Sequence, residues 1–230
     1  MGFILFVFTF NDYMSNKIAI LIGATGATGS ELLSLILDDP YFSSVVVLSR
    51  RALNVHHPKL QVHIVDFDNT SSWVHLVKGD VLFSALGTTL KVAKTKMNQF
   101  KIDYTYQYQV AKAASDNNVK TYVLVSAYGA NEGSYFFYPR IKGQLDTAVQ
   151  KLSFKNIHIF RPGILHRQIA KLRPVEKISI IIINALNRIG ILKKQKPMPV
   201  KLLAEKMIVV SKNHYPDKTQ IYNLHSIFSI

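Results

Sequence analysis

The stretch that decides the fold is residues 17–39, which read KIAILIGATGATGSELLSLILDD. Its first six residues form a short run rich in β-branched apolar side chains, as in a buried strand. Gly23, Gly26 and Gly29 follow at intervals of three residues. Residues 31–37 then carry apolar side chains on nearly every helical face. The stretch therefore predicts a strand, a tight turn and a buried helix in direct succession.

The glycine turn offers a place for a phosphate group. Glycine permits the tight turn, lets a pyrophosphate approach the backbone, and lets the helix pack closely on the strand. The helix that follows adds free N–H groups and the positive end of its dipole. No Gly-Lys-Ser/Thr sequence follows, so the turn is not a P-loop. We expect a nicotinamide dinucleotide to rest its pyrophosphate on the turn Gly23-Ala24-Thr25-Gly26-Ala27-Thr28-Gly29.

Strand-like and helix-like segments alternate along the chain that follows. Apolar runs predict further strands at residues 44–48, 61–65, 80–85, 120–125 and 157–160. Longer segments between them predict helices at residues 98–118 and 138–152. Parallel strands need crossover connections of helix length, so we predict an α/β fold with a doubly wound parallel sheet (a Rossmann fold) and a small C-terminal cap.

The alternation of strand-like and helix-like segments changes after Pro162. Helices are predicted at residues 177–189 and 200–211, and we expect the cap to comprise about residues 163–212, packed over the carboxyl ends of the strands. The cap would form the substrate side of a single dinucleotide-binding domain over residues 17–230.

An apolar extension, residues 1–16, precedes this domain. Its apolar run is too short to span a bilayer and lacks the flanks of a secretory signal. We expect a poorly ordered or misannotated extension; a loose membrane or partner anchor is the alternative. We predict no transmembrane segment.

The composition is globular, with 48% hydrophobic and 18% charged residues among 230. The absence of cysteine excludes disulfides, thiolate metal ligands and a cysteine nucleophile, and we expect a cytoplasmic location. None of the eight histidines has the spacing of a metal site, so we expect no metal. The net charge of +14 suits a polyanionic partner, or reflects many surface lysines. Its clusters lack nucleic-acid motifs, so no specific nucleic-acid partner is expected.

The choice of dinucleotide depends on the end of the second strand. Folds that prefer NAD place an acidic residue there, whereas a basic residue accommodates the 2′-phosphate of NADP. This chain reads Ser49-Arg50-Arg51, with no carboxylate. An arginine fork binds phosphate well, so we predict that NADP(H) is preferred over NAD(H). The alternative is that Arg50 and Arg51 are exposed loop charges.

A tyrosine and a lysine four residues apart form a candidate catalytic pair. Pro139 suits the first turn of a helix, so Tyr138 and Lys142 would share one helical face. The charge of Lys142 would favour ionisation of the Tyr138 hydroxyl, making it a usable acid and base. Ser126, at the end of the preceding strand, would hold a substrate carbonyl.

These motifs, in this order, resemble the atypical short-chain dehydrogenases, specifically the Tat-interacting-protein-like, NAD-dependent epimerase-like branch. The resemblance runs from residue 17 to the end of the chain. Beyond the glycine turn it rests on Ser49-Arg50-Arg51, Asp66-Phe67, Ala85-Leu86-Gly87-Thr88-Thr89, Ile102-Asp103-Tyr104, residues 125–130 and 137–143, Phe160-Arg161-Pro162, and Pro197-Met198-Pro199.

The resemblance implies further contacts with the cofactor. Asp66 and Phe67 would hold the adenine end of the cofactor, and the segment 85–88 would line the ribose and pyrophosphate. At the other end, Lys142 would also hold the nicotinamide ribose, and Pro162 would face the nicotinamide. The complete predicted cofactor set is Gly23, Thr25, Gly26, Ala27, Thr28, Gly29, Arg50, Arg51, Asp66, Phe67, Ala85, Leu86, Gly87, Thr88, Lys142 and Pro162. One departure concerns catalysis, because Ala127 stands where many relatives place the working serine.

The resulting leading hypothesis is an NADP(H)-dependent oxidoreductase of small carbonyl or hydroxyl substrates. Tyr138 would be the acid and base, Lys142 would tune its pKa, and Ser126 would anchor the substrate. One alternative is an epimerase-like or dehydratase-like reaction with the same pair. Another is a non-catalytic NADPH-binding redox sensor or scaffold with a protein partner. We expect a monomer or a homodimer.

Overall fold

The computed structural model describes residues 16–166, 197–213 and 215–230. Its strands are β1 Lys17–Ile22, β2 Phe42–Ser49, β3 Leu60–Ile64, β4 Val81–Ser84, β5 Thr121–Val125, β6 Asn156–Arg161, β7 Leu165–His166, β8 Met198–Pro199 and β9 Thr219–Asn223. Seven of them form one sheet in the order β3-β2-β1-β4-β5-β6-β9, and every neighbouring pair is parallel. The predicted doubly wound α/β fold is confirmed. β7 and β8 pair separately.

Helices connect these strands and cover the sheet. They are α1 Ala27–Asp38, α2 Leu90–Ala93, α3 Lys96–Phe100, α4 Tyr106–Asp116, α5 Phe137–Gln150, α6 Val200–Lys212 and α7 Leu224–Phe228. A π-helical turn, Lys101–Thr105, joins α3 to α4. The helix predicted over residues 98–118 is therefore a segmented run that changes its winding at this turn.

The core has one apolar layer on each face of the sheet. Successive side chains of a strand point to opposite faces, so Ile20 and Ile22 pack in the layer that contains α4 and α5. Leu21 lies in the opposite layer, with residues of α1 and α6 such as Leu32 and Leu203. Burial on both faces explains why the sequence of β1 is almost uninterruptedly apolar.

The C-terminal part differs from the expected arrangement. α6, which we expected over the carboxyl ends of the strands, packs against α1 on one face of the sheet. β9 was not predicted and extends the sheet beyond β6. Residues 167–196 of the predicted cap, including the helix predicted at 177–189, lie outside the described residues, so the domain assignment stays a prediction. No described helix has the length and apolar character needed to cross a membrane.

Candidate functional site

The glycine turn after β1 is held tightly against the segment that follows β4. Gly23 has φ +86°, and a Cβ built on it would lie 2.4 Å from the carbonyl carbon of Ala85. A Cβ on Gly29 would lie 2.1 Å from the carbonyl oxygen of Gly23. Both distances are far inside van der Waals contact, so these two positions admit no side chain. The turn therefore presents bare backbone at the junction of β1 and β4.

The N-terminus of α1 completes this cradle. Its first helical hydrogen bond joins the Ser30 N–H to the Gly26 carbonyl at 3.0 Å, which leaves the amides of Ala27, Thr28 and Gly29 without helical acceptors. The first turn carries no acidic side chain, and Thr25 beside it is exposed. Amides without helical acceptors, a helix dipole and the absence of side chains at Gly23 and Gly29 fit a pyrophosphate group.

A cavity of about 380 Å³ opens at the carboxyl ends of the central strands. The crossovers from β1 and β4 diverge to opposite faces here, which is where ligands bind in folds of this kind. Its walls contain seven of the predicted residues: Ala85, Leu86, Gly87, Ser126, Tyr138, Lys142 and Pro162. They also contain Asp103, to which we had assigned no role. The structure thus brings the predicted pair beside the segment on which the glycine turn packs.

Lys142 is almost completely buried, with 2% of its surface exposed. Its Nζ donates to the Val125 carbonyl at 3.0 Å, at the end of β5. Burial lowers the pKa of Lys142, and the carboxyl groups of Asp103 and Asp146 act in the opposite direction. The lysine is therefore positioned by the strand end and by two acidic groups.

Tyr138 begins the first turn of the same helix, and 41% of its residue surface is exposed. Desolvation, followed by the negative charge of Asp103, raises the pKa of Tyr138 to about 12. This differs from our expectation that Lys142 would lower that pKa. The reason is that burial disfavours the charged phenolate, and the negative charge of Asp103 adds to this effect.

Ser126 lines the cavity but is buried, with 4% exposure. Burial raises the pKa of the neighbouring Asp146, and the positive charge of Arg161 acts in the opposite direction. Arg161 Nε donates to Asp146 Oδ2 at 2.9 Å. Ala127 follows and also lines the cavity. The Ser126 hydroxyl has no hydrogen-bond partner among the described residues, although the residue lines the cavity.

The residue that sequence reasoning missed is Asp103, which is fully buried on the π-helical turn. Its Oδ2 accepts the Thr88 N–H at 3.3 Å. Desolvation raises the pKa of Asp103 to about 6, although Lys142, Thr88 and Gln99 favour its carboxylate. The signal available in the sequence was the segment Ile102-Asp103-Tyr104, which contributed to the family resemblance without giving Asp103 a role.

A second cavity, of about 310 Å³, lies where β2 ends. Arg50, Lys94 and Lys101 line it together, and Lys101 Nζ also donates to Asp68 Oδ2 at 2.7 Å. Arg51 is exposed outside this cavity. Three cations around one small cavity form a place for an anion.

The two residues expected at the adenine end have different settings. Asp66 is exposed, and its carboxylate accepts the Asp68 N–H at 3.0 Å. The Phe67 ring is buried in the core, with its centroid 5.9 Å from that of Trp73 and 5.3 Å from that of Tyr106. The ring is thus occupied by packing, and contact with a ligand would fall to its backbone.

With this geometry in place, comparison with known proteins is informative. The sequence profile described as NAD(P)H-binding matches residues 23–169, which is more than half of the chain. The chain belongs to this NAD(P)H-binding family. The match begins at the first glycine of the turn and includes both cavities.

Curated relatives lie among fungal proteins. "Protein fmp52, mitochondrial" of Aspergillus fumigatus is 37% identical over 163 residues, which cover 68% of this chain and 70% of that protein. Its counterpart in Emericella nidulans is 32% identical over 176 residues, covering 74% of this chain and 76% of that protein. The expectation of a cytoplasmic location is wrong by this finding, because these relatives are named mitochondrial. The absence of cysteine, on which it was based, does not distinguish the two compartments.

Solved structures share the fold. The enzyme WbmH of Bordetella bronchiseptica, in complex with NAD⁺, has a TM-score of 0.67 at 16% identity, covering 90% of this chain and 75% of that one. A UDP-N-acetylglucosamine 4-epimerase of Methanobrevibacter ruminantium has a TM-score of 0.65 at 14% identity, covering 92% and 77%. These neighbours support the Rossmann-type, epimerase-like architecture.

Proposed function

We propose that this protein is an NADP(H)-dependent oxidoreductase of the short-chain dehydrogenase type, acting on a small carbonyl or hydroxyl compound. The observation that carries the proposal is the single cavity that contains Tyr138 and Lys142 and adjoins the glycine turn. Its volume of about 380 Å³ suits a small substrate beside the reactive end of a dinucleotide.

The chain's own residues supply binding and proton transfer. When bound, the nicotinamide supplies or accepts a hydride at the substrate carbon. Tyr138 donates a proton to the carbonyl oxygen during reduction and recovers it from the hydroxyl during oxidation. Lys142 stabilises the tyrosinate by its positive charge. In the free protein, burial and the charge of Asp103 raise the pKa of Tyr138 to about 12, which favours the protonated phenol used in reduction and disfavours the tyrosinate used in oxidation.

The preference for NADP(H) is supported by the cavity at the end of β2. Arg50 and Lys94 are exposed at its wall, and Lys101 adds a third positive charge. A 2′-phosphate there would bring an opposite charge and several acceptor oxygens to these cations, whereas the hydroxyl of NAD is neutral and offers one oxygen. We therefore place the adenosine end of the cofactor at this cavity.

The test is NADPH oxidation against a panel of aldehydes and ketones, followed by absorbance. Tyr138→Phe should abolish turnover while NADPH binding persists, because only the proton donor is removed. Tyr135→Phe is the matched control, since Tyr135 lies three residues earlier and is 98% exposed. Equal turnover by wild type and Tyr138→Phe on every active substrate would contradict the assigned role.

A second candidate is a non-catalytic NADPH-binding sensor or scaffold. It is favoured by the buried position of Ser126 and by Ala127 at the expected serine position. Tight NADPH binding without turnover of any carbonyl would support it. The epimerase-like alternative instead predicts substrate conversion with no net consumption of NADPH.

The names of the curated relatives indicate where in the cell this protein acts. Since those proteins are named mitochondrial, we propose a mitochondrial location for this one. Fractionation of cells that express a C-terminally tagged full chain should recover it with mitochondria, and recovery only in the cytosolic fraction would contradict the proposal.

A further inference from the structure

A buried carboxyl group shares the reactive cavity with the proposed catalytic pair. Asp103 is fully buried, yet it lines the same cavity as Tyr138 and Lys142. On the β4 side, its Oδ2 accepts the Thr88 N–H, and its Oδ1 lies 3.2 Å from the position that a Cβ on Gly87 would occupy. It therefore packs beneath the segment against which the glycine turn also packs.

The charged surroundings of Asp103 come from α5. The positive charge of Lys142 favours its carboxylate, and in return Asp103 raises the pKa of Tyr138. The Thr88 amide and the Gln99 side chain also favour the carboxylate but do not titrate. Desolvation outweighs these effects, and the pKa of Asp103 rises to about 6. At neutral pH the free protein thus holds a carboxylate that is costly to bury and opposes ionisation of the tyrosine.

We propose that Asp103 takes up a proton from solvent when a dinucleotide binds, so that the charge of Lys142 is left to act on Tyr138. The inference rests on the dinucleotide site proposed above. A pyrophosphate on the glycine turn brings negative charge to the segment 85–88, because Gly23 packs against Ala85. Added negative charge disfavours a nearby buried carboxylate, which responds by binding a proton. Asp103 is then a positioning residue that acts on the catalytic tyrosine through its charge.

The test counts protons by isothermal titration calorimetry of NADH binding. NADH is the probe because it lacks the 2′-phosphate, which itself titrates near pH 6. Binding is measured at pH 6.5 in two buffers with different ionisation enthalpies. We expect an uptake of about half a proton per NADH in the wild type, since this pH lies between the free and bound pKa values of the carboxyl group. Asp103→Asn should bind NADH with no proton uptake.

Asp38→Asn is the matched control, because Asp38 is an exposed carboxylate at the end of α1 that is farthest from the glycine turn. It should leave the uptake unchanged even if the affinity falls. If Asp103→Asn does not fold, the wild type alone decides, since its NADH affinity should fall about threefold per pH unit between pH 6 and 7. Binding of NADH with no uptake, or uptake that persists in Asp103→Asn, would overturn the proposal. Absence of any dinucleotide binding would instead contradict the proposed function itself.

Discussion

Replacing Gly29 by alanine separates the helix-forming role of this position from its role in the turn. Gly29 lies within α1, where alanine is intrinsically favoured over glycine by about 1 kcal/mol. However, the new Cβ would lie 2.1 Å from the Gly23 carbonyl oxygen and 2.7 Å from its carbon, so backbone atoms must move. Overpacking of this kind costs about 1–3 kcal/mol, and a backbone clash belongs at the upper end. We expect the clash to win and Gly29→Ala to be less stable by about 2 kcal/mol.

Thermal unfolding and NADPH titration check this expectation together. For a chain of this length, 2 kcal/mol corresponds to a fall in Tm of roughly 4–8 °C. NADPH affinity should fall at least tenfold at a temperature where the variant is fully folded, because the displaced turn no longer presents its amides. Gly26→Ala is the graded control, since its Cβ would lie 3.2 Å from the same oxygen. A Gly29→Ala variant that matches the wild type in both Tm and NADPH affinity would refute the reasoning.

Further predictions concern charge. Arg50→Ala should weaken NADPH binding by about 10–100-fold but NADH binding by less than about threefold, because only NADPH offers a 2′-phosphate to the guanidinium group. Equal losses of affinity in parallel titrations would contradict this. Asp103→Asn should raise the free energy of unfolding at pH 7.5 by about 1–3 kcal/mol in denaturant titrations. Burial in the folded state raises the pKa of Asp103 to about 6 and therefore disfavours its carboxylate above that pH. A variant less stable than the wild type would contradict this prediction. Burial lowers the pKa of His158 to about 4, so the unfolded chain binds its proton first and the contribution of His158 to stability should fall by about 3 kcal/mol from pH 6.5 to 4. The raised pKa of Asp103 contributes in the opposite direction over this range, so the variant is compared with the wild type at each pH. His158→Gln should gain about 3 kcal/mol relative to the wild type from pH 6.5 to 4, and a constant difference between the two would exclude this role of His158.

The part of the fold that the sequence predicts is the part determined by neighbouring residues. β1, the turn and α1 follow from local apolar periodicity and from three glycines, and they occur at the expected places. β9 escaped prediction because TQIYN is a half-exposed edge strand, in which polar and apolar residues give no clear alternation. The position of α6 escaped because an apolar helix does not reveal which neighbour it will cover.

The same distinction applies to the site. The four-residue spacing of Tyr138 and Lys142 is local, and it correctly places both on one helix. The effect of Asp103 on them is not local, because it depends on how the π-helical turn packs against α5 across 35 or more residues of chain. A pKa responds to burial and to charges brought together by folding, so the spacing alone could not reveal that Tyr138 is harder to ionise in the free protein.

The two cavities differ in their charge, which suits one to binding an anion and the other to proton transfer. Among the described residues at the end of β2, the cations Arg50, Lys94 and Lys101 outnumber the one carboxylate that pairs with them, Asp68, so this end attracts an anion. At the other end, the buried acidic groups Asp103 and Asp146 flank Lys142, so the reactive cavity carries no such positive excess. Binding free energy can then come from phosphate contacts that remain the same throughout a reaction. The protonation of the acid-base groups, in contrast, changes when a negatively charged ligand binds. A fragment that holds the adenosine phosphates but lacks the pyrophosphate link and nicotinamide should therefore bind through Arg50 without changing the protonation of the reactive end.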